Sequence, residues 1–413
     1  MPAPTDANND GDLFLRSSAK SLVLGKYAKP QRHAVEALLL YAQCKYMSSL
    51  DTVDEINTLL GVLVRLAMRM GYHRDAKQLS GINAFDGEMR RRTWSVIQQL
   101  DLLGSFQMGL PSFIQCDVCD AEIPRNLMDS DFDELTSQLP ASRPDTEATD
   151  MLYFIVKSRI VKVIGDVLTI SLSLKTTPYD EVIALDAQLR QVHDSTPVHL
   201  RRRPISKSFT DPTHLILARI NCELLYLKSR CVLHRKYLRD DPGHSWSRKA
   251  CTDAALTILE IQAELREESL PGGQLFQDRW MLSSVTLHDF LLAATLICLD
   301  LSEDHQKVLK SPSPSTSVFE NKLEALNRSY AIFVEQSAHS RQARRCAGAI
   351  GYMLPRVQIK RQEHYSPLDR LETGGHNHEL KEDHDVASQN TEVLIEPYCQ
   401  PKESEIIDWV SCC

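Results

Sequence analysis

From Thr213 to Arg239 the chain keeps a step of seven. Leu217, Leu224, Cys231 and Leu238 fall at that step, and Ile220, Leu227 and His234 each follow three residues after one of the first three. Seven residues make about two turns of an α-helix, so all of these side chains share one face. A strand, with its period of two, would scatter them to both sides of a sheet. The i, i+3, i+4 spacing recurs in Thr52–Met70, where Ile56, Leu59, Leu60, Leu63, Leu66, Ala67 and Met70 form a stripe. Asp51 or Thr52 is placed to cap that helix, with Glu55 in capping-box position, and Gly71 to end it. Helical patterns also run through 33–46, 149–173, 179–192, 247–265, 288–301, 320–330 and 331–349, and neither a period-two segment nor an internal repeat competes with them. The expected fold is all-α: one large multi-helix domain over 13–354, a disordered N-terminus over 1–12, and a mostly disordered tail over 355–413.

With 43% hydrophobic and 25% charged residues the chain can bury a substantial core. Its formal net charge of −8 argues against broad, non-specific nucleic-acid binding, which needs clustered Lys and Arg. The longest apolar run, Phe290–Leu299, falls far short of the roughly 20 residues of a bilayer span, so no membrane association is expected. The N-terminal stretch is polar and acidic, unlike a secretory signal, and the 11 scattered cysteines suit reduced thiols inside a cell.

One stretch is dense in distinctive residues: FDGEMRRRTWSVIQQLDLLGSFQMGLPSFIQCDVCDAEIP, Phe85 to Pro124. Met89, Trp94, Ile97, Leu100, Gly104 and Met108 predict one face of a helix, interrupted by Asp101; Gly109 and Pro111 stop it. Arg90, Arg91 and Arg92 crowd its first turns, where positive charge opposes the helix dipole. They are therefore expected to pair with carboxylates such as Asp75, Asp101 or Asp120; contact with phosphate or with a partner's acids is the other possibility.

In that order, EMRRRTW (Glu88–Trp94), Leu100–Asp101, GLP (Gly109–Pro111) and the acidic loop closing on Ile123–Pro124 resemble the regulatory domain of fungal-specific transcription factors. This is the middle homology region found downstream of a binuclear zinc-cluster DNA-binding domain. GYHRD (Gly71–Asp75) resembles its lead-in. The L-H-R-x-x-L of Leu233–Leu238 with the S-R-x-x-C of Ser247–Cys251, and the late helix FLLAATLICLDL (Phe290–Leu301), resemble later segments of it. The resemblance implies a nuclear protein that controls transcription. It assigns Arg90, Arg91, Arg92, Trp94, Asp101, Gly109, Pro111, Pro124, His234 and Arg235 structural and regulatory roles, with no catalytic, cofactor-binding or metal-ligating residue. Implied partners are other transcription factors or coactivators, a second copy or a related chain, and a small-molecule effector.

The family's zinc cluster needs six cysteines within about thirty residues, and these 413 residues hold no such block. No cofactor is therefore expected here, and DNA is expected to be reached only indirectly or through a zinc-cluster segment outside this sequence. Two mechanisms stay open. In one the domain regulates by docking partners, which an exposed apolar stripe on an outer helix would serve. In the other it senses a ligand in a pocket around Trp94 and the 213–239 helix, served by a buried polar group such as Asp101 or His234.

Other patterns carry less. Cys116 and Cys119 form one C-x-x-C, where a structural zinc site wants four ligands. Asp129, Asp131 and Asp133, with Asp240–Asp241, are the candidates for a distant alternative, an all-α metal-dependent enzyme, but neither group is a D-D-x-x-D. No Ser-His-Asp arrangement, phosphate loop or dinucleotide fingerprint is legible. Arg341, Arg344, Arg345, Arg356, Lys360 and Arg361 suggest a solvated helix face or an import and DNA-contact surface. Ser311–Ser317 reads as a linker. Glu403–Val410 (ESEIIDWV) has the acidic-hydrophobic composition of activation segments, and Cys412–Cys413 does not make a prenylation signal.

Overall fold

The structure, a computed structural model, describes residues 5–47, 54–238, 242–279, 284–308 and 316–365. Among them are eleven α-helices, five short 3-10 turns in the other connections and two more within the α7–α8 link, and no strand. The helices are α1 (Thr5–Leu24), α2 (Ala34–Met47), α3 (Asp54–Arg69), α4 (Ala84–Met108), α5 (Asp150–Leu172), α6 (Tyr179–Asp194), α7 (Thr213–His234), α8 (Ser245–Glu268), α9 (Ser284–Val308), α10 (Thr316–Gln336) and α11 (Arg341–Tyr365).

The first five pack in chain order, each against the next; α7 then packs on α5, α6 and α8, while α9, α10 and α11 close the far side of α8. Two apolar cores result. One is built from α2, α3 and the first half of α4, around Val35, Leu38, Leu63, Val64, Trp94 and Ile97. The larger one spans α5 to α11 and takes Phe106 from the last turns of α4. With 25 residues, α4 is about 37 Å long, enough to anchor both cores.

Helix α7 is buried on nearly every side, beyond the single seam its sevenfold step predicts; Arg219, Lys228 and His234 are buried on it as well. Each has a partner: Arg219 donates to the His199 carbonyl and to Asp211 (both 2.6 Å), and the Lys228 Nζ lies 2.6 Å from Asp289. A helix at the centre of a bundle must satisfy such groups internally.

The structure corrects several boundaries. Helix α1 begins at Thr5, within the stretch predicted to be disordered, and α11 continues to Tyr365, past the predicted limit at Leu354. The last break falls between Gln336 and Arg341 rather than after Tyr330, because Ser340 Oγ accepts from the Ala343 N–H and restarts the chain there. The stripe predicted on α4 is only half right. Met89 and Met108 are 38% and 39% exposed, whereas Glu88, Arg91, Ser95, Gln99, Asp101 and Ser105 are buried. Apolar periodicity is blind to a buried face made of polar groups, most of them with partners. Asp51, Thr52, Asp240, Asp241, most of the 311–317 linker and everything beyond Tyr365, Glu403–Val410 included, lie outside the described residues.

Between α4 and α5 runs a connection of two 3-10 turns and irregular chain, held by polar contacts where apolar packing is thin. Asn126 Nδ2 donates to the carbonyls of Pro144 and Glu147 (both 3.1 Å), its Oδ1 accepts from Thr149 Oγ1 (2.5 Å), and Arg143 pairs with Asp131 at 2.7 Å. That connection brings GLP and Pro124 back against α4.

Candidate functional site

Three consecutive arginines on a helix point about 100° apart. Arg90 donates to the Met70 carbonyl (2.6 Å) and lies over the Tyr72 ring, its guanidinium 4.1 Å from the ring centre. This approach passes over Gly71, whose φ of +74° ends α3 and suits glycine. Arg91 turns inward and is 5% exposed; its Nε and Nη2 bind the two oxygens of Asp75 at 2.8 and 2.7 Å, with Glu88 3.5 Å away. Arg92 reaches Asp129 (2.6 Å) and the Leu127 carbonyl (3.2 Å), and stands over the Phe132 ring. The triplet thus ties the end of α3, the Asp75 turn and the 120–132 loop to α4.

Of the predicted carboxylate partners, Asp75 is correct and the other two are not. Asp120 pairs with Arg74 (3.0 Å) and accepts the Asp75 N–H (2.8 Å). Asp101 serves the GLP loop, accepting Ser112 Oγ (2.5 Å) and the N–H groups of Phe113 (3.2 Å) and Ile114 (3.0 Å). Burial alone would raise the Asp75 carboxyl. The Arg91 hydrogen bonds and the N–H groups of Lys77 and Glu122 outweigh it and hold Asp75 well below the usual carboxylate range.

Trp94 is 1% exposed in the first core; its indole N–H has no hydrogen-bond partner among the described residues. Gly109 ends α4 at φ +65°, its N–H bonded to the Ser105 carbonyl. Pro111 is exposed and Pro124 buried.

His234 and Arg235 lie in the other core, far along the chain from the arginine triplet. His234 is fully buried, with Nε2 3.1 Å from Asp186 Oδ1 and Nδ1 3.0 Å from Ser247 Oγ, which is in turn 2.9 Å from the Tyr179 hydroxyl. Arg230 and Arg190 complete the shell of Asp186 at 2.9 and 2.8 Å. Here burial, which raises the Asp186 carboxyl, is overcome by the His234 bond and the Arg230 charge, leaving it down at about 2. Arg235 caps α7, its N–H bonded to the Cys231 carbonyl.

Asp186, His234 and Ser247 therefore form an Asp-His-Ser line that the sequence does not reveal, since 48 and 13 residues separate the bonded pairs. All three are fully buried. A nucleophile needs a place for a reacting carbon about 3 Å away, and a sealed serine offers none. The line is a strut between α6, α7 and α8.

The second and third sequence patches are likewise joined. His234 of the L-H-R segment meets Ser247 of S-R-x-x-C, the Cys231 and Cys251 thiols each face the other's carbonyl, and Arg248 binds Asp300 of the late helix at 2.7 Å. Asp186 and Asp300 escape a sequence reading aimed at motifs. The available signal is a carboxylate at a buried helical position, as in VIALDAQL and LICLDL.

Cys116 and Cys119 share one 3-10 turn; Cys119 donates to the Gln115 carbonyl, and burial pushes its thiol up to about 11. Asp129 and Asp131 are taken by Arg92 and Arg143, and Asp133 caps the turn at Leu135–Thr136. Among the described residues no three His, Cys, Asp or Glu side chains gather as a metal site, and no helix is long and apolar enough to cross a membrane. Arg341, Arg344 and Arg345 are exposed along α11.

Residues 4–195, α1 through α6, match the fungal specific transcription factor domain. The chain carries that domain. Over 354 residues, 84% of its length, it is 41% identical to the Zn(2)-C6 fungal-type transcription factor pigI of Monascus ruber, and over 344 residues, 82%, it is 40% identical to mpsB of Macrophomina phaseolina, described in the same words. With the equisetin cluster transcription factor eqxF of Fusarium heterosporum it shares 38% over 347 residues. These alignments cover 44%, 46% and 50% of the three relatives, so the chain spans about half the length of the curated proteins it matches. No solved structure matches it. The arginine triplet and the GLP loop fall inside the matched domain, and alignments this long extend beyond it into α7 and later helices.

Proposed function

We propose that the protein is a nuclear regulator of transcription, the regulatory body of a zinc-cluster-type factor that reaches DNA through a segment outside this sequence or through partner proteins. The observation that carries this reading is the match of the domain together with 41% identity across 84% of the chain to a Zn(2)-C6 fungal-type transcription factor. The equisetin and fusarisetin A relatives are named as cluster transcription factors, and control of a gene cluster is the finer role proposed here.

The geometry supports a docking role over a chemical one. The buried polar constellations are spent on joining helices, while α1 turns Leu13, Phe14, Val23 and Leu24 outward at 61%, 70%, 65% and 83% exposure. Arg16, Lys20, Lys26, Lys29 and Arg32, on α1 and the turn after it, are exposed as well, and no acidic residue lies between Leu13 and Val35. A basic, apolar face of this kind suits an acidic amphipathic segment of a coregulator.

The direct test fuses the chain to a bacterial DNA-binding module and measures a reporter carrying that module's site. Reporter output is expected to change at least severalfold in either direction, and Leu13→Asp with Phe14→Asp to blunt the change. A fusion that is nuclear and stable yet leaves the reporter at its baseline would sink the proposal.

A further inference from the structure

Between α3 and the last turns of α4, beside the GLP loop, lies a cavity of about 280 Å³. That is the lower end of the range for small-molecule sites, roughly 300–1,000 Å³. Its walls are apolar, chiefly Leu60, Met108 and Phe113, and its polar groups are Asp101, Ser105 and Asn57. Two glycines let its walls approach the helix backbones: a Cβ on Gly104 would stand 3.1 Å from Asn57 Oδ1, and one on Gly61 would meet the Phe113 ring at 3.4 Å.

The charge of this lining is one-sided. Asp101 is 1% exposed, its bonds come from one hydroxyl and two backbone N–H groups, and no Lys, Arg or His among the described residues pairs with it. Every other buried aspartate here, Asp75, Asp186, Asp289 and Asp300, has a cationic partner. A buried carboxylate without a counter-ion is costly, so a ligand that brings one gains more than it would at the surface. Ser105 is 7% exposed, and its hydroxyl has no partner among the described residues, although a helical serine commonly bonds the carbonyl four residues back. The Asn57 side chain likewise has no hydrogen bond there. Three side chains able to accept hydrogen bonds, an aromatic ring and aliphatic walls thus share one small space.

We propose that this cavity binds a compact organic ammonium ion. The N–H groups would be accepted by Asp101 with Ser105 and Asn57, and the apolar body would lie against Leu60, Met108 and Phe113, whose ring face favours a cation. The exposed rim, Met108 at 39% and Phe113 at 58%, gives the ligand a way in. Because Asp101 also holds Ser112–Ile114, occupancy would stiffen the GLP loop and with it the path to Pro124. The site goes beyond the transcriptional reading and is tested without it, on the purified chain.

The experiment titrates the full chain with phenethylamine, 2-phenylethanol and 3-phenylpropionate, followed by calorimetry and by the methyl resonance of Met108. Phenethylamine should bind at least tenfold more tightly than the alcohol, with the carboxylate weaker still, and should shift the Met108 signal. Asp101→Asn keeps an acceptor for the loop and removes the charge, so it should erase the preference for the amine over the alcohol. Ser105→Val should weaken both, by filling the space, and covers the case in which the Asp101 variant does not fold. Equal affinity for amine and alcohol, amine binding untouched by both variants, or no Met108 response to millimolar amine overturns the proposal.

Discussion

Arg91 shows what a single side chain carries in this fold. Its guanidinium is 5% exposed and sits between Asp75, bonded at both oxygens, and Glu88, which is fully buried. Removing one member of a buried pair leaves the other charged and alone, a loss of about 3–5 kcal/mol. Arg91→Ala is therefore expected to lower the denaturant midpoint strongly while Arg90→Ala, which gives up one carbonyl bond and a ring contact, lowers it less; equal effects in urea melts would contradict the inward role of Arg91. Trp94 is the other residue of this kind. At 1% exposure it fills the first core, and Trp94→Ala should cost about 3–5 kcal/mol, read as a lowered melting temperature. An unchanged melting curve would mean that the core closes without it.

At the scale of elements, α4 is the beam that the motif segment builds. Its stop at Gly109 depends on a left-handed φ of +65°, which a side chain adopts at a cost of about 1–2 kcal/mol. Gly109→Ala should thus destabilise by roughly that amount and loosen Ser112–Ile114, visible as faster amide exchange of Ile114, whose N–H otherwise bonds Asp101. Helix existence and type were legible from α2 onward, because long amphipathic or all-apolar segments announce their period; the start of α1, polar and acidic, carries no such signal. The orientation of α4 was legible only in part. Trp94 and Ile97 belong to its buried face as the period predicts, but Met89 and Met108 do not, and Gln99 and Ser95 do, bonded to Ser158 at 2.8 Å each. Polar residues join a core when another element supplies their hydrogen bonds, and that element, α5, is more than fifty residues away.

Across the whole molecule, buried carboxylates held ionised set a pH limit. The folded Asp186 carboxyl lies near 2 against an ordinary 3.8, and Asp75 is shifted in the same direction. A depressed folded value means that the stabilisation is complete above the unfolded value and is lost as pH falls through the folded one. Stability is thus expected to be level above about pH 5 and to fall between about pH 4 and 2, with Asp186 alone contributing about 2 kcal/mol. Asp186→Asn should flatten part of that slope in acid titrations followed by circular dichroism. An unaltered acid limb in that variant would remove Asp186 from the account.

By itself, the amino-acid sequence determined that the chain is helical, where most helices lie, and which short runs mark the regulatory domain, since period, caps and motif residues are local properties. Only the tertiary structure decided what those residues do. It paired Arg91 with Asp75 and turned Asp101 to the GLP loop, and it sealed Asp186, His234 and Ser247 into one strut. Beside Asp101 it left a cavity with a negative charge and no cation among the described residues. The physical reason is range. Helical periodicity is written within a few turns, whereas the partner of a buried charge is chosen by which distant helix packs against it, and one apolar pattern permits many such choices.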